Sequence, residues 1–343
     1  MEPILRVENL TKTFSRSGQS DLTAVNGISF YLWPGECLGI IGESGSGKTT
    51  AVNLITRLLD VTDGKIFLAG EDITWETDKA LRAVYQKIQM VFQTPTDSFD
   101  PRRTLGDGIG ESLRNSGMTR RETNLEVAHL LERCGLPAGF AGRYPHEVSG
   151  GQCQRAAIAR ALAVKPKVLI CDEATSALDI ENTEEIVELL REINEKTHIT
   201  IVFITHEMDV AKKLFDRIAF MEDGKLKEVT DIYSAFANPK SDIAKSLVQR
   251  VLNVEVPEGL KAKTNEEILR LSYTGDDSYD PVISVASKNY DITMDIINGK
   301  VDYIRNKPFG MLIVILRGED AERKKALEYI SKNVYKLERL GGR

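Results

Sequence analysis

The sequence predicts an α/β domain followed by a smaller α+β domain, and three observations support this fold class. Short apolar runs alternate with helical patterns from Ile4 to about Val229, which is typical of a parallel sheet covered by helices. A glycine-rich stretch, GESGSGKTT, joins one apolar run to a helical segment. After a stretch that contains Pro257 and Gly259 the composition changes, and strand and helix patterns follow in the order βαββαβ.

The α/β domain is predicted from five apolar runs that read as strands. In chain order these are CLGII, KIQMVF, KVLICD, TIVFIT and RIAFME. Helical segments then form a connector before the second domain begins. The predicted boundaries are 1–230 for the α/β domain, 231–263 for the connector and 264–343 for the second domain.

The second domain is predicted from seven segments. They are the strand ILRLSYTG, the helix PVISVASKNY, the strands ITMDII, KVDYI and GMLIVILRG, the helix AERKKALEYISK and the strand VYKLERL. The dipeptide NG between ITMDII and KVDYI is either a hairpin turn or a bend within one long strand. This order predicts a ferredoxin-like layer of one sheet and two helices.

Composition favours a globular protein that folds without disulfides. The chain has 343 residues, of which 42% are hydrophobic and 28% are charged. Its four cysteines form no C-x-x-C pair, so neither a disulfide framework nor a zinc site is expected. The net charge of -6 disfavours nucleic acid as a partner. Apolar runs are too short to cross a bilayer and no signal segment opens the chain, so we expect a cytosolic or peripheral protein.

The glycine-rich stretch fits the pattern G-x-x-x-x-G-K-[ST] through Gly42, Gly47, Lys48 and Thr49. Glycines let successive N–H groups point at a phosphate, and the following helix adds its own unpaired N–H groups. Lys48 would reach the outer phosphates, and the Thr49 hydroxyl would help to hold Mg²⁺. The predicted nucleotide-binding residues of this loop are Gly42, Glu43, Ser44, Gly45, Ser46, Gly47, Lys48, Thr49 and Thr50.

Two acidic residues, Asp172 and Glu173, follow the apolar run KVLIC. Asp172 suits Mg²⁺ through a bound water, and Glu173 suits a general base that polarises an attacking water. A second glycine-containing segment precedes another helix and forms a second anion-binding helix start. Its residues Ser149, Gly150, Gly151 and Gln152 are too far from the first stretch in sequence to be part of the same loop. This separation suggests that the second segment serves another subunit.

These motifs together resemble the ATPase domain of ABC transporters over the first 230 or so residues, including its helical subdomain. The resemblance implies that Gln93 and His206 are catalytic residues together with Glu173. It implies that Gln93 contacts Mg²⁺, that His206 contacts the γ-phosphate, and that Phe14 lies under the adenine. It also implies that Asp179, in the segment SALD, faces a partner subunit. Alternative interpretations are a core aromatic for Phe14, a solvated amide for Gln93 and a core histidine for His206.

The sequence departs from the family pattern at three positions. In the segment Val148–Gln152, which corresponds to the signature of the family, Val148 stands where leucine is usual. Cys153 follows the signature glutamine Gln152, and Ala174 stands where proline is common. None of these changes removes a phosphate contact. We expect the changes at Val148 and Cys153 to alter the packing of the helix that follows the signature. They would then change the rate of ATP hydrolysis and not its chemistry.

Two kinds of importer share segments with this chain. VFQTPTDSFDPRRTL and RYPHEVSGGQ resemble peptide and nickel importer ATPases, whereas ITHEMDVAKKLFDRI and FANPKSDIAKSLVQ resemble methionine importer ATPases. The C-terminal segment resembles the NIL-type regulatory domain of methionine importers, which binds the transported amino acid and inhibits the pump. The bend at Ile297, Asn298 and Gly299 matches the position of that family's binding strand. The alternative is a dimerisation module without a ligand.

The resemblance implies the ATP-hydrolysing subunit of an ABC importer for methionine or a related amino acid, with ATP and Mg²⁺ as cofactors. The implied partners are a second ATPase subunit, two transmembrane permease subunits, an extracytoplasmic solute-binding protein and a small regulatory ligand. The implied location is the cytoplasmic side of the cell membrane. The alternatives are a peptide or nickel importer ATPase and a non-transport ABC ATPase. A P-loop metabolic kinase would lack both SGGQ and the segment SALD, which resembles the D-loop of ABC ATPases.

Overall fold

The computed structural model describes residues 2–15, 20–252, 254, 256, 266–274, 281–304 and 307–341. The chain divides into two compact units, Met1–Asp231 and Ile232–Arg343. Residues 253, 255 and 257–263 of the predicted connector, including Pro257 and Gly259, lie outside the described residues. Its separation from the second domain therefore stays a prediction.

The first unit alternates strands with helices. Its strands are β1 (Leu5–Phe14), β2 (Leu22–Leu32), β3 (Cys37–Ile41), β4 (Asp63–Leu68), β5 (Glu71–Asp72), β6 (Ile88–Val91), β7 (Val168–Asp172), β8 (Thr200–Thr205), β9 (Arg217–Glu222) and β10 (Lys225–Asp231). Its α-helices are α1 (Lys48–Ile55), α2 (Asp78–Lys87), α3 (Leu105–Asn115), α4 (Arg120–Arg133), α5 (Gly150–Leu162), α6 (Ile180–Thr197) and α7 (Met208–Leu214).

The central sheet of this unit has the strand order β10-β9-β3-β8-β7-β6. The five apolar runs form its strands β3, β6, β7, β8 and β9, which are mutually parallel, and β10 adds an antiparallel edge. Every residue of β3, β7 and β8 is buried, which explains why these strands read as continuous apolar runs. The predicted α/β fold class is confirmed for this unit.

A second sheet of the first unit is antiparallel, with the order β2-β1-β4-β5. The sequence prediction described only the parallel sheet. Buried and exposed residues are mixed along β1 and β2, because these strands bury mainly one face. Such strands contain fewer consecutive apolar residues and are harder to identify from sequence.

The second unit contains a four-stranded antiparallel sheet with the order β12-β13-β11-β14. Its elements are α8 (Ile232–Ala237), α9 (Asp242–Leu252), β11 (Glu267–Thr274), α10 (Val282–Asn289), β12 (Ile292–Ile304), β13 (Lys307–Gly318), α11 (Asp320–Asn333) and β14 (Lys336–Gly341). From β11 onward they follow the predicted βαββαβ order, so the predicted ferredoxin-like arrangement is confirmed. The NG dipeptide lies within β12, so it is a bend in one strand and not a hairpin turn.

Different helices pack on the two faces of this sheet. Leu269, Leu271 and Val314 point to the side of α10 and α11 and form a core with Ala286 and Ile330 from those helices. Residues that alternate with them along β11 and β13 lie on the opposite face. There the Tyr233 hydroxyl of α8 donates a hydrogen bond to the carbonyl oxygen of Pro308, at 2.7 Å.

One buried glycine is tightly enclosed in the central sheet. A Cβ atom on Gly39 of β3 would lie 1.9 Å from Cε2 of Phe215, whose ring is fully buried and 5.8 Å from the ring of Phe203. The aromatic ring cannot move aside without repacking the core. Overpacking of this kind costs about 1–3 kcal/mol.

We therefore expect Gly39→Ala to lower the midpoint of thermal unfolding by several degrees, measured by circular dichroism on the full chain. Gly139→Ala is the matched control, because no atom lies within 4 Å of its added Cβ. An unchanged midpoint for Gly39→Ala would show that Phe215 is not held as the structure describes.

Candidate functional site

The predicted phosphate loop joins the C-terminal end of β3 to the start of α1. Gly45 and Gly47 have φ values of 80° and 99°, a conformation that residues with side chains disfavour. A Cβ atom on Gly42 would lie 2.1 Å from the carbonyl oxygen of Met221. The path of this loop therefore requires glycine at these positions.

The start of α1 has no side-chain cap. Gly47 precedes this helix, whereas the residues that precede α3, α4, α5 and α6 each accept a hydrogen bond through a side-chain oxygen. The buried Ser46 Oγ has no hydrogen-bond partner within the described part of the chain. Uncapped N–H groups and a buried hydroxyl without a partner are both satisfied by an anion, so the loop fits a phosphate group.

The Lys48 side chain is buried within the same loop. Its Nζ donates hydrogen bonds to the carbonyl oxygens of Gly42 and Glu43, at 2.8 and 2.9 Å. Burial lowers the pKa of the ammonium, although the carboxylates of Glu173 and Asp172 oppose this effect. The protein thus holds a positive charge at the base of the phosphate cradle.

Asp172, the last residue of β7, lies beside the start of α1. The Thr49 hydroxyl donates a hydrogen bond to its Oδ1, at 3.2 Å. Burial raises the pKa of the Asp172 carboxyl to about 6, and the Thr49 hydrogen bond opposes this shift. A buried carboxylate beside a hydroxyl gains stability from a hard cation with oxygen ligands, so this pair fits Mg²⁺.

Glu173 follows β7 in a strained conformation. Its φ value is 46°, in the left-handed region that non-glycine residues avoid, and its N–H group donates to the carbonyl oxygen of Ile204 at 3.0 Å. Strain of this kind costs about 1–3 kcal/mol and is concentrated at functional sites. It turns the Glu173 side chain toward the phosphate loop.

The three predicted catalytic residues meet at the Glu173 carboxylate. Gln93 Nε2 donates a hydrogen bond to its Oε2 at 3.1 Å, and His206 Nδ1 lies 3.9 Å from its Oε1. Lys48 Nζ lies 4.0 Å from the same Oε1. Gln93 also donates to the Ser176 hydroxyl, at 3.2 Å. The structure therefore brings these residues together with the lysine of the phosphate loop.

The predicted signature residues form a second group around the start of α5. Ser149 caps this helix by accepting a hydrogen bond from the Gln152 N–H, and the Gln152 side chain accepts one from the Ser149 N–H. A Cβ atom on Gly151 would lie 2.2 Å from Oδ1 of Asn182. Asn182 in turn donates from its N–H and its side chain to the Asp179 carboxylate.

Asn182 therefore connects the signature segment with Asp179, and the sequence interpretation missed it. Its spacing of three residues after an N-cap aspartate is a signal that could have identified it. Gly150 lies beside Leu178, which precedes Asp179. Among the described residues, no hydrogen bond or ion pair joins this second group to the phosphate loop.

Phe14 ends β1 with 36% of its surface exposed. The Lys12 ammonium lies 5.3 Å from the centre of its ring and donates to the carbonyl oxygen of Asp60, at 2.6 Å. The ring is available for stacking, which stays a prediction. Of the other predicted loop residues, Glu43 and Ser44 are exposed, whereas Thr50 is half-buried on α1.

The predicted regulatory residues lie on β12, at an edge of the second unit's sheet. Ile297 is the extra residue at an irregularity in pairing, between the pairs Ile296–Val314 and Asn298–Ile313. A Cβ atom on Gly299 would lie 2.4 Å from Cδ2 of Leu312. The bend thus exists where the sequence predicts it, and its ligand stays a prediction.

None of the helices in the described ranges has the length and apolar character needed to span a membrane.

Comparison with protein families gives two matches. Residues 25–176 match the ABC transporter family model, and residues 267–339 match the NIL domain. The methionine import ATP-binding protein MetN 1 of Bacillus licheniformis is 38% identical over 327 residues, which are 95% of this chain and 97% of that protein. The protein of the same name from Enterococcus faecalis is 37% identical over 96% of this chain and 94% of its own length.

Solved structures match the ATPase part of the chain. The dimeric post-hydrolysis structure of the ATP-binding cassette MJ0796, bound to ADP and Pi, is 31% identical with a TM-score of 0.62 and covers 66% of this chain and 98% of its own. The cbiO1 protein of Clostridium perfringens, part of the ABC transporter complex cbiONQ, is 28% identical with a TM-score of 0.62 and covers 73% and 95%. From its two domains and its similarity to these relatives over nearly its whole length, the chain belongs to the MetN family of ABC transporter ATP-binding proteins.

Proposed function

We propose that this chain is the ATP-hydrolysing subunit of an ABC importer that takes up methionine or a closely related amino acid. The observation that carries the ATPase assignment is the convergence of Gln93 and His206 on the Glu173 carboxylate, beside the phosphate loop and Lys48. The names of the full-length relatives support methionine as the solute.

In this proposal the phosphate loop binds the nucleotide and Glu173 accepts a proton from the attacking water. Gln93 orients the carboxylate through its hydrogen bond, and His206 would contact the γ-phosphate. Phosphoryl transfer requires mostly positioning and charge compensation, which Lys48 provides. Thr49, Asp172 and Gln93 would hold Mg²⁺, which when bound neutralises charge on the phosphate oxygens.

Each nucleotide would lie between two chains in a head-to-tail homodimer. The uncapped start of α1 in one chain and the signature segment Ser149–Gln152 of the other would face the same phosphates. Because the two groups share no hydrogen bond or ion pair among the described residues of one chain, the second group is available to a partner. A two-fold arrangement uses both groups in each chain. Asp179 would lie at the same interface.

A groove lined in part by the segment that follows Gln93 in the sequence suits a permease. It has a volume of about 270 Å³ and is lined by Ser98, Phe99, Arg103 and Arg160. The Arg160 guanidinium lies 5.2 Å from the centre of the Phe99 ring and donates to the Ser98 carbonyl oxygen. A cytoplasmic helix of a permease subunit bound here would respond to movement of Gln93. The catalytic carboxylate and the membrane partner would thereby be coupled.

The complete importer would contain two copies of this chain, two transmembrane permease subunits and an extracytoplasmic solute-binding protein. The chain would then lie on the cytoplasmic side of the cell membrane. A peptide or nickel importer is the alternative transport function, and a screen of solutes with the co-purified permease and binding protein distinguishes the two. A non-transport ABC ATPase would co-purify with no permease.

The C-terminal domain would bind the transported solute at Ile297, Asn298 and Gly299 and inhibit ATP hydrolysis. The position of β12 at the end of the strand order in the described sheet supports this role, because an edge strand is where a ligand or a second copy can approach a sheet. A ligand that binds one spacing of the two copies better than another biases the whole dimer.

Replacement of the proposed general base tests the catalytic assignment. We expect Glu173→Gln to reduce ATP hydrolysis by the assembled importer about 100-fold or more, because a general base contributes roughly 10²–10⁴-fold. Nucleotide binding should remain, and the ATP-bound dimer should accumulate on size-exclusion chromatography. Glu207→Gln is the control, since its carboxylate accepts a hydrogen bond from Thr175 instead. Near wild-type hydrolysis by Glu173→Gln would refute the assignment.

Introducing a negative charge at the start of α5 tests whether two chains share each nucleotide site. Gly150 is suited to this test, because its added Cβ would lie at an ordinary 3.5 Å from Leu178, whereas one on Gly151 would collide with Asn182. We expect Gly150→Asp to weaken ATP-dependent dimerisation by tenfold or more, since like charges about 4 Å apart repel by roughly 4 kcal/mol near a protein surface. Gly139→Asp adds the same charge elsewhere as a control. ATP-dependent dimers of normal affinity in analytical ultracentrifugation would contradict the head-to-tail site.

The regulatory role predicts inhibition by the solute. We expect L-methionine to slow ATP hydrolysis by the assembled importer about 5- to 150-fold, the usual range of allosteric coupling. Asn298→Ala should reduce this inhibition without lowering the basal rate, whereas the exposed-site variant Lys324→Ala should retain it. If neither L-methionine nor another amino acid inhibits the wild-type importer, the dimerisation interpretation of this domain replaces the regulatory one.

A further inference from the structure

The second unit contains a cavity on the face of its sheet that is opposite to α10 and α11. It has a volume of about 200 Å³ and lies between the helices α8 and α9 and the strands β11, β13 and β14. We call it the helix–sheet cavity. Val248 and Leu252 line it from α9, and Arg270, Met311 and Glu338 line it from the sheet.

The walls of the helix–sheet cavity are held by contacts at its ends. On one side Tyr233 of α8 bonds to the Pro308 carbonyl oxygen, and its ring packs edge-on against Phe309 with the ring centres 6.4 Å apart. On the other side the Lys300 ammonium donates to the carbonyl oxygen of Val251, in the last turn of α9, at 2.9 Å. The cavity is therefore built into the unit and does not depend on a chance gap between surface side chains.

Arg270 brings a guanidinium to these walls that shares its carboxylate partner with a lysine. Its Nη1 lies 3.5 Å from Oε2 of Glu338, and Lys336 Nζ lies 2.9 Å from Oε1 of the same glutamate. One carboxylate therefore serves two cations. A guanidinium fork pairs best with both oxygens of a carboxylate, so a second carboxylate would complete the pairing of Arg270.

The apolar residues that line the cavity indicate the chemistry of the rest of the ligand. Val248 and Leu252 are buried and apolar, and the Met311 side chain adds a flexible thioether that adapts to different shapes. An apolar wall facing a small number of placed polar groups is typical of small-molecule sites. The chemistry that fits both parts is a small carboxylate with an apolar chain.

We propose that the helix–sheet cavity binds a small amphipathic carboxylate, with its carboxylate on Arg270 and its apolar part against α9 and Met311. This site is distinct from the bend at 297–299, because no residue of that bend lines the cavity among the described residues. A bound molecule would link the α8–α9 pair to the sheet. The proposal is independent of the ATPase and import assignments, since it concerns binding to the chain alone.

Isothermal titration of the full chain tests the proposal with four probes. Hexanoate and L-methionine carry the carboxylate, whereas hexanamide and L-methioninol lack it. We expect at least one carboxylate probe to bind, its counterpart without a carboxylate to bind at least tenfold more weakly, and Arg270→Gln to weaken binding of the carboxylate probe by about tenfold or more. Arg339→Gln is the control, because this arginine lies on β14 but pairs with Glu267 at 2.9 Å.

Two further variants keep the test decisive. Arg270→Lys preserves the positive charge beside Glu338 and should fold if Arg270→Gln does not, yet it lacks the planar guanidinium fork and should also bind more weakly. Equal affinity of wild type and both Arg270 variants would overturn the proposal. So would binding that Asn298→Ala abolishes and Arg270→Gln retains, or the failure of both carboxylates to bind at millimolar concentration.

Discussion

The ATPase site depends on the interactions of one buried group, the ammonium of Lys48. Loop carbonyls hold it from one side, and the carboxylates of Asp172 and Glu173 attract it from the other. Burial raises the pKa of Asp172 and lowers that of Lys48, so each charge is tolerated because the other is near. An anion bound in the loop interacts with the same three charges. Nucleotide binding and the catalytic carboxylates are therefore electrostatically coupled.

The parallel sheet determines where these charges meet. The strands β3, β7 and β8 are adjacent and run in the same direction, so the residues that follow them lie at one edge. The phosphate loop, Glu173 and His206 each occupy such a position. Gln93 follows β6 in the same sheet and donates a hydrogen bond to the Glu173 carboxylate. The order and direction of the strands therefore bring the phosphate loop and these side chains together.

The second unit uses the two faces of one sheet for different purposes. The face under α10 and α11 carries an apolar core, whereas the face under α8 and α9 retains the charged residues Arg270 and Glu338 around a cavity. The edge strand β12 is a third surface, with Ile296 and Val301 exposed. Binding at the edge and binding in the cavity would therefore act on different contacts of the same small domain.

The sequence by itself determined the elements whose signals are local. The glycine and lysine spacing of the phosphate loop, the apolar runs of the central sheet and the βαββαβ order all follow from neighbouring residues, and the structure contains each of them. Mixed strands such as β1 were missed, because a strand that buries one face has a weaker apolar signal.

Only the tertiary structure decided which distant side chains meet. Asn182 lies 31 residues after Gly151, and the Arg270 and Glu338 side chains come from strands at opposite ends of their domain's sequence. The choice between a hairpin and a bend at Asn298 was likewise settled by the pairing of β12 along β13. Such contacts depend on how strands are ordered and which faces they cover, and these properties arise from packing the whole chain, so no local pattern encodes them.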